Sequence, residues 1–152
     1  MLCMLSFSVT LSSQRFTEVE DVNIINNHKS FLKQSYPNAF QSMNVLNVYS
    51  VGDDLSRVDY LYQGVEHQAL LNSGKKEMLL VATYEQLPIS ETPGIILEAK
   101  KDSEYSKWTI ERTYKVKEPS IGIYYALDLV SEDGEFKRVH YSHLGHMRKA
   151  PY

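Results

Sequence analysis

Three histidines near the carboxyl end form the densest group of chemically versatile side chains in the sequence. His140, His143 and His146 lie within the stretch HYSHLGH, and neutral imidazole is the commonest metal ligand. Residues three apart on a straight strand point to opposite faces, so only a tight turn at Leu144–Gly145 would bring His143 and His146 together. No acidic third ligand lies close to them in sequence. Exposed hairpin histidines are the simpler explanation, and a metal-binding protein or metal-dependent enzyme using this cluster is an alternative function.

The remaining patterns do not indicate a reaction. The stretch SEDGE (131–135) has three carboxylates beside a glycine but lacks the alternating ligand positions of a calcium loop, which favours a solvated turn. The sequence has no G-x-S-x-G nucleophile motif and no glycine-rich phosphate loop. We therefore predict a protein that is not an enzyme and that uses no cofactor and no metal.

Composition limits the class of protein and its partners. The 152 residues fit one compact domain, and 43% hydrophobic and 23% charged residues are ordinary for a globular chain. Eleven tyrosines favour half-buried strands. A formal net charge of −3 and a pI near 5.9 provide no basic field for phosphates, so we expect no nucleic acid partner.

The amino-terminal segment is the most apolar part of the chain. Leu2–Leu11 is too short for a membrane span, which needs roughly 20 apolar residues, but it has the length of a signal-peptide core. We therefore predict that residues 1–14 are a signal-peptide remnant, which would place the protein in the periplasm or outside the cell. The only cysteine, Cys3, would then be absent from the mature chain. The alternative is an amino-terminal strand, because apolar residues alternate with polar ones at Leu5, Phe7, Val9 and Leu11.

The rest of the chain alternates between helical and strand patterns. Apolar residues recur at helical spacing between Asp21 and Ser35, and Pro37 ends that helix. Short runs separated by turn residues then predict about four strands up to Tyr84. Thr92 and Pro93 are typical of a second helix start, with Thr92 as the cap, and strands resume after Trp108.

This order of elements predicts an α+β fold built from a tandem α-β4 repeat. Tyr49 and Tyr60 are eleven residues apart, and so are Tyr114 and Tyr125. Matched spacing of this kind indicates an internal repeat. We place the first repeat at 15–87 and the second at 88–152, within one compact domain.

Alternation along the strands predicts which side chains face the helices. The helix-facing set is predicted to be Val45, Tyr49, Val58, Tyr60 and Tyr62 in the first half, and Ile110, Tyr114, Val116, Ile121, Ile123, Tyr125, Leu127 and Leu129 in the second. The opposite, open face then carries four large apolar or aromatic residues: Leu46, Val48, Leu61 and Tyr124. Apolar residues on an open face are typical of contact sites, so we predict that these four bind a protein or peptide partner. The competing explanation is that surface hydrophobic residues are common, or that the register is shifted by one residue.

Several segments resemble a known family. The run LPISETPGIILEAKKDSEY, followed by WTIERTYKV, IYYALDL and SEDGE, is similar to the PepSY-like exported bacterial proteins, whose fold is compared with that of the β-lactamase inhibitor protein. The first half shows the same signature in FLKQSYPNAFQSMNVLNVY and ALLNSGKKEM, and the resemblance covers nearly everything after Arg15. The stretch LLNSGKKEM departs from the pattern because it lacks the acidic-glycine turn, which puts any role of that loop in doubt.

The resemblance implies one curved antiparallel sheet with two helices packed on one face, and a periplasmic or secreted location. It also implies inhibition of a hydrolase. The predicted function is thus a non-enzymatic exported binding module, inhibitor-like, that holds a protein or peptide on the open face. A structural envelope protein or a homodimer that uses the same face is a further alternative.

Overall fold

The fold is built around a single antiparallel sheet. The computed structural model describes residues 17–51, 54–74 and 77–151, so the predicted signal-peptide remnant at 1–14 lies outside the described residues. The described ranges contain nine strands, and their order across the sheet is their order along the chain. The strands are β1 (Thr17–Glu18), β2 (Asn44–Val51), β3 (Leu55–Tyr62), β4 (Val65–Asn72), β5 (Leu79–Leu87), β6 (Thr109–Glu118), β7 (Gly122–Val130), β8 (Phe136–Ser142) and β9 (Met147–Arg148).

In the described ranges, three α-helices and a 3-10 turn (Ile89–Glu91) lie between the strands. Helix α1 (Val22–Ser35) begins at Asp21, whose carboxylate accepts a hydrogen bond from the backbone N–H of Asn23 at 2.8 Å. The one-turn helix α2 (Pro37–Phe40) follows directly, and α3 (Gly94–Lys101) lies between β5 and β6. No helix in the described ranges is both long and apolar enough to cross a membrane.

Both longer helices pack on the same face of the sheet. Leu32 of α1 is buried with Val58 of β3 and Ala69 of β4. Ile96 of α3 is buried with Leu127 of β7 and with residues of β8. Residues that pair directly across neighbouring strands lie on the same face of the sheet. The pairing from β3 to β7 therefore places the residues that contact α1 and those that contact α3 on one face.

Side chains on the other face show that the sheet curls strongly. Gln68 of β4 and Arg138 of β8 are four strands apart, which on a flat sheet would separate them by roughly 19 Å. The Arg138 guanidinium nevertheless donates to Gln68 Oε1 at 2.9 Å. The face opposite the helices is therefore concave, and we call it the concave face; the helix-bearing face is the convex face.

Register shifts accompany the curvature. Irregularities in strand pairing lie between Val45 and Asn47 in β2, between Leu80 and Ala82 in β5, which pair with Leu71 and Leu70 of β4, and between Ile110 and Arg112 in β6. A β-bulge inserts one residue, bends the strand and increases its twist. Each bulge also reverses the inward and outward assignment of every residue that follows it.

The bulge in β2 overturns part of the predicted faces of the first half. Val45 pairs with Tyr60 and Val48 pairs with Val58, so both valines lie on the convex face. Val48, predicted to lie on the open face, is 1% exposed in the core beneath α1. Tyr49, predicted to face the helices, instead lies on the concave face, with the Arg57 guanidinium 4.4 Å from the centre of its ring.

The bulge in β6 has the same effect in the second half. Ile110 pairs with Leu129 on the convex face, but the inserted residue places Tyr114 and Val116 on the concave face, where they pair with Ala126 and Tyr124. The prediction that Tyr114 and Val116 face the helices is therefore wrong. Ile121 and Ile123 are also predicted to pack under the helices, yet they are 55% and 49% exposed near the β6–β7 turn.

Candidate functional site

A buried ion pair occupies the centre of the concave face. Arg138 of β8 lies directly opposite Asp128 of β7. Arg138 Nε donates to Asp128 Oδ1 at 2.5 Å, and a second guanidinium nitrogen donates to Oδ2 at 2.8 Å. Burial alone would lower the pKa of Arg138, but the hydrogen bonds and the charge of Asp128 raise it well above the usual value. Arg138 therefore stays cationic at every accessible pH.

Aromatic rings enclose this ion pair. The Arg138 guanidinium carbon lies 4.5 Å from the ring centre of Tyr114 and 5.2 Å from that of Tyr84. Stacking of a guanidinium on aromatic faces adds to the bidentate pairing and fixes the plane of the side chain. The cluster is thus a rigid polar centre, held from β4 through β8.

His140 adds a neutral ring to the same cluster. Its Nε2 lies 3.2 Å from the Tyr84 hydroxyl, and the side chain is almost fully buried. Burial, together with the nearby charge of Arg138, lowers the pKa of His140 to about 4. The imidazole is therefore uncharged at neutral pH, which avoids a second buried cation beside Arg138.

A polar cavity of about 150 Å³ opens beside this centre, between β2 and β6. Its walls include Leu46, Asp59, Gln68, Gln86, Arg112 and Tyr114, together with Asn47, Glu66 and His67. Asp59 is paired with Arg57 at 2.8 Å and 3.1 Å. Burial nevertheless raises the pKa of Asp59, and the Arg57 charge only partly opposes this rise.

The four predicted partner-binding residues do not form one surface. Leu46 is 44% exposed and lines the cavity, and Leu61 is half-buried on the concave face. Tyr124 lies on the concave face as predicted, but it is 1% exposed and its hydroxyl donates to Glu118 at 3.0 Å. Val48 lies in the core on the other side of the sheet. The exposed part of the predicted site is therefore confined to Leu46 and Leu61.

The three histidines near the carboxyl end lie in different environments. His140 is buried in the concave centre, whereas His143 and His146 are exposed in the β8–β9 turn. Ser142 Oγ accepts from the backbone N–H of His146 at 3.2 Å and tightens this turn. Within the described ranges, no group of three or more His, Cys, Asp or Glu side chains is arranged to hold a metal ion.

The sequence interpretation missed the residues that organise this face, above all Arg138 and Asp128. A signal was available, since Asp128 is the only charged residue in the apolar strand IYYALDLV. A charge in such a strand needs a partner. The hairpin through SEDGE brings Arg138 directly across from it.

Known proteins are similar to this chain in structure rather than in sequence. No protein-family model matches the chain, and no curated protein sequence matches it either. Among solved structures, it is similar to a DUF2874 family protein from Bacteroides uniformis, with a TM-score of 0.57 and 17% identity, covering 80% of this chain and 83% of that one. A putative periplasmic protein from Bacteroides eggerthii gives a TM-score of 0.56 and 15% identity, with 80% and 83% of the two chains covered.

A BLIP-like protein from Bacteroides fragilis is also similar, with a TM-score of 0.51 and 19% identity over 80% of each chain. At these identities the likeness shows the fold alone. The fold is α+β with a β-lactamase-inhibitor-like neighbour, as expected from the sequence. None of these comparisons tests the PepSY-like resemblance, which stays a prediction.

Proposed function

We propose that the protein is an exported, non-enzymatic binding module that holds a segment of a partner protein against its concave face. The observation that supports this proposal most directly is the cavity beside Leu46, on the face of the sheet that carries no helix in the described ranges. The Arg138–Asp128 centre keeps the neighbouring side chains in place before a partner arrives. Such preorganisation lowers the entropy lost on binding.

The fold likeness supports the proposal indirectly. One structural neighbour is BLIP-like and another is a putative periplasmic protein, which agrees with an exported role and with binding of a protein. In this proposal the blocks 15–87 and 88–152 are tandem α-β4 units of the PepSY-like type, and the location is periplasmic or secreted.

The test compares two aspartate substitutions at equally exposed sites. Leu46→Asp alters the rim of the cavity, and Ile123→Asp alters the convex face; the parent residues are 44% and 49% exposed. Each variant is immobilised beside the wild type, exposed to envelope extract and scored for partners retained by the wild type. We expect Leu46→Asp to lose them and Ile123→Asp to keep them, because a charge disrupts a desolvated contact only where the contact is made.

A second pair of measurements checks the outcome. Leu61→Asp is expected to reduce capture as well, and thermal unfolding of each variant shows whether the fold is intact. Equal loss of capture in Leu46→Asp and Ile123→Asp, with both proteins folded, would contradict binding on the concave face. Light scattering of the pure wild type separates a foreign partner from a homodimer, since only the homodimer forms without extract.

A further inference from the structure

One buried hydroxyl points to what the cavity binds. Tyr114 is 1% exposed and lines the cavity, yet its hydroxyl has no hydrogen-bond partner of normal geometry among the described residues. Burial raises the pKa of Tyr114 and the nearby Arg112 guanidinium partly opposes the rise, but the contact between the two side chains lacks the geometry of a normal hydrogen bond. A buried polar group that lacks a partner destabilises the fold. A ligand group that reached this hydroxyl would remove that destabilisation.

The size of the cavity limits the ligand to a small group. A cavity of about 150 Å³ is the volume at which an apolar protein cavity binds benzene. The five heavy atoms of a glutamine side chain fit within that volume. A whole peptide turn would not fit, so the cavity suits the end of one side chain, and the choice among side chains depends on charge and hydrogen bonding.

The charges around the cavity favour an uncharged ligand. Asp59 is already bound by Arg57, and Arg112 lies directly opposite Asp128 on the neighbouring strand. With Arg138, which pairs with Asp128, and Glu66 in the cavity wall, the surrounding groups are three cations and three anions. Burying a further unpaired charge among them is costly. An uncharged group that both donates and accepts hydrogen bonds avoids this cost.

The hydrogen-bonding groups favour a carboxamide. Gln68 and Gln86 present amides beside the Tyr114 hydroxyl, and Gln68 Oε1 already accepts from Arg138. We propose that the cavity binds the carboxamide of a glutamine or asparagine side chain from the partner, with the Tyr114 hydroxyl as its deepest contact. This inference rests on the proposed function, because it assigns the concave face one specific element of its partner.

Small probes test the chemistry without the partner. Wild-type protein is titrated with N-acetylglutamine N-methylamide, whose only primary carboxamide is in the side chain, and followed by NMR chemical shifts of the cavity residues. Matched titrations use the N-acetyl, N-methylamide forms of lysine and glutamate, which have no primary carboxamide. We expect shifts centred on Gln68, Gln86 and Tyr114 with the glutamine probe, and binding at least about fivefold weaker with the charged probes.

Two tyrosine variants provide a matched control. Tyr141 also has a buried hydroxyl without a described partner, but it lies in the convex core beneath α3. Tyr114→Phe should weaken binding of the glutamine probe about fivefold, the effect of one hydrogen bond of roughly 1.0 kcal/mol. Tyr141→Phe should leave it unchanged, and both variants should be at least as stable as the wild type, because each loses a buried hydroxyl that lacks a hydrogen-bond partner.

The outcomes separate this inference from the proposed function. Tighter binding of a charged probe, no probe binding, or equal affinity in wild type and Tyr114→Phe would each overturn the carboxamide site. Loss of partner capture in Leu46→Asp would still support the concave face in those cases. Conversely, glutamine binding that depends on Tyr114, with partner capture unaffected by Leu46→Asp, would support the cavity chemistry and contradict the proposed function.

Discussion

Both faces of the sheet bury apolar side chains, but the concave face also buries an ion pair at its centre. On the convex face, Leu32 and Ile96 are covered by packing of α1 and α3 against apolar strands. On the concave face, Arg138 and Asp128 are buried because the sheet curls until side chains from distant strands meet. Apolar packing spreads stability over many weak contacts, whereas an ion pair concentrates it in a few directional ones. The concave face should therefore be more sensitive to single substitutions and to pH.

The largest expected effect comes from breaking the central ion pair. Arg138→Leu leaves the Asp128 carboxylate buried without its cation and frees Gln68 from its contact. We expect the free energy of unfolding to fall by about 3–5 kcal/mol, measured by urea denaturation. Ile96→Val in the convex core, by comparison, should cost about 0.5–1.5 kcal/mol.

A double variant distinguishes loss of the pair from loss of packing. Arg138→Leu combined with Asp128→Leu removes both charges, so no buried ion is left unpaired. We expect this protein to be more stable than Arg138→Leu alone, because well-packed apolar replacements of a buried pair are often neutral. An Arg138→Leu protein as stable as Ile96→Val would show that the concave face does not depend on this centre.

The second effect is a pH dependence that comes from the concave face. The pKa of His140 is lowered to about 4 by burial and by Arg138, whereas an unfolded histidine titrates near 6.5. As the pH falls from 6.5 towards 4, the unfolded chain takes up a proton that folded His140 does not. Folding stability should therefore fall over that window, by up to roughly 3 kcal/mol from this group.

Comparison with His140→Gln isolates that contribution. Carboxylates titrate in both proteins, including Asp59, whose raised pKa acts in the opposite direction. The difference in unfolding free energy between wild type and variant should therefore change steadily between pH 6.5 and pH 4.5. Parallel pH profiles for the two proteins would contradict a buried neutral imidazole.

Sequence patterns predicted the elements well because they depend on local chemistry. Helix α1 ends just before Pro37 as expected, and the β3–β4 hairpin turns at Gln63–Gly64, where both φ angles are positive. Thr92 behaves differently from its prediction as a helix cap: its hydroxyl bonds to that of Thr113 in β6 at 2.8 Å. The Thr92 hydroxyl thus bonds to a distant strand instead of capping the nearby helix α3.

The faces were predicted less well because alternation assumes an unbroken register. The bulges in β2 and β6 each add one residue, which moves Val48 to the convex face and Tyr114 to the concave face. A bulge depends on how neighbouring strands pair, and the apolar pattern of one strand does not encode it. Leu61, on a strand with regular pairing to β4, has the predicted face. The sequence therefore predicted the exposed part of the candidate site, Leu46 and Leu61. It did not predict the buried Arg138–Asp128 centre, which depends on how the strands pair.

The smallest expected effect tests the contact between helix α3 and the β8–β9 turn. Gly134 and Gly145 both adopt positive φ, at 83° and 81°, so alanine should cost about 1–2 kcal/mol of backbone strain at either position. They differ in surroundings: a Cβ at Gly145 would lie 3.1 Å from the Ile95 carbonyl oxygen of α3, whereas one at Gly134 would meet nothing within 4 Å. Gly145→Ala should therefore destabilise the protein more than Gly134→Ala in urea denaturation.

Because the two substitutions impose the same backbone strain, the additional loss of unfolding free energy in Gly145→Ala reports how closely the β8–β9 turn packs against α3. Equal losses would mean that α3 moves to accommodate the added methyl group, and would contradict a tight contact between α3 and the β8–β9 turn.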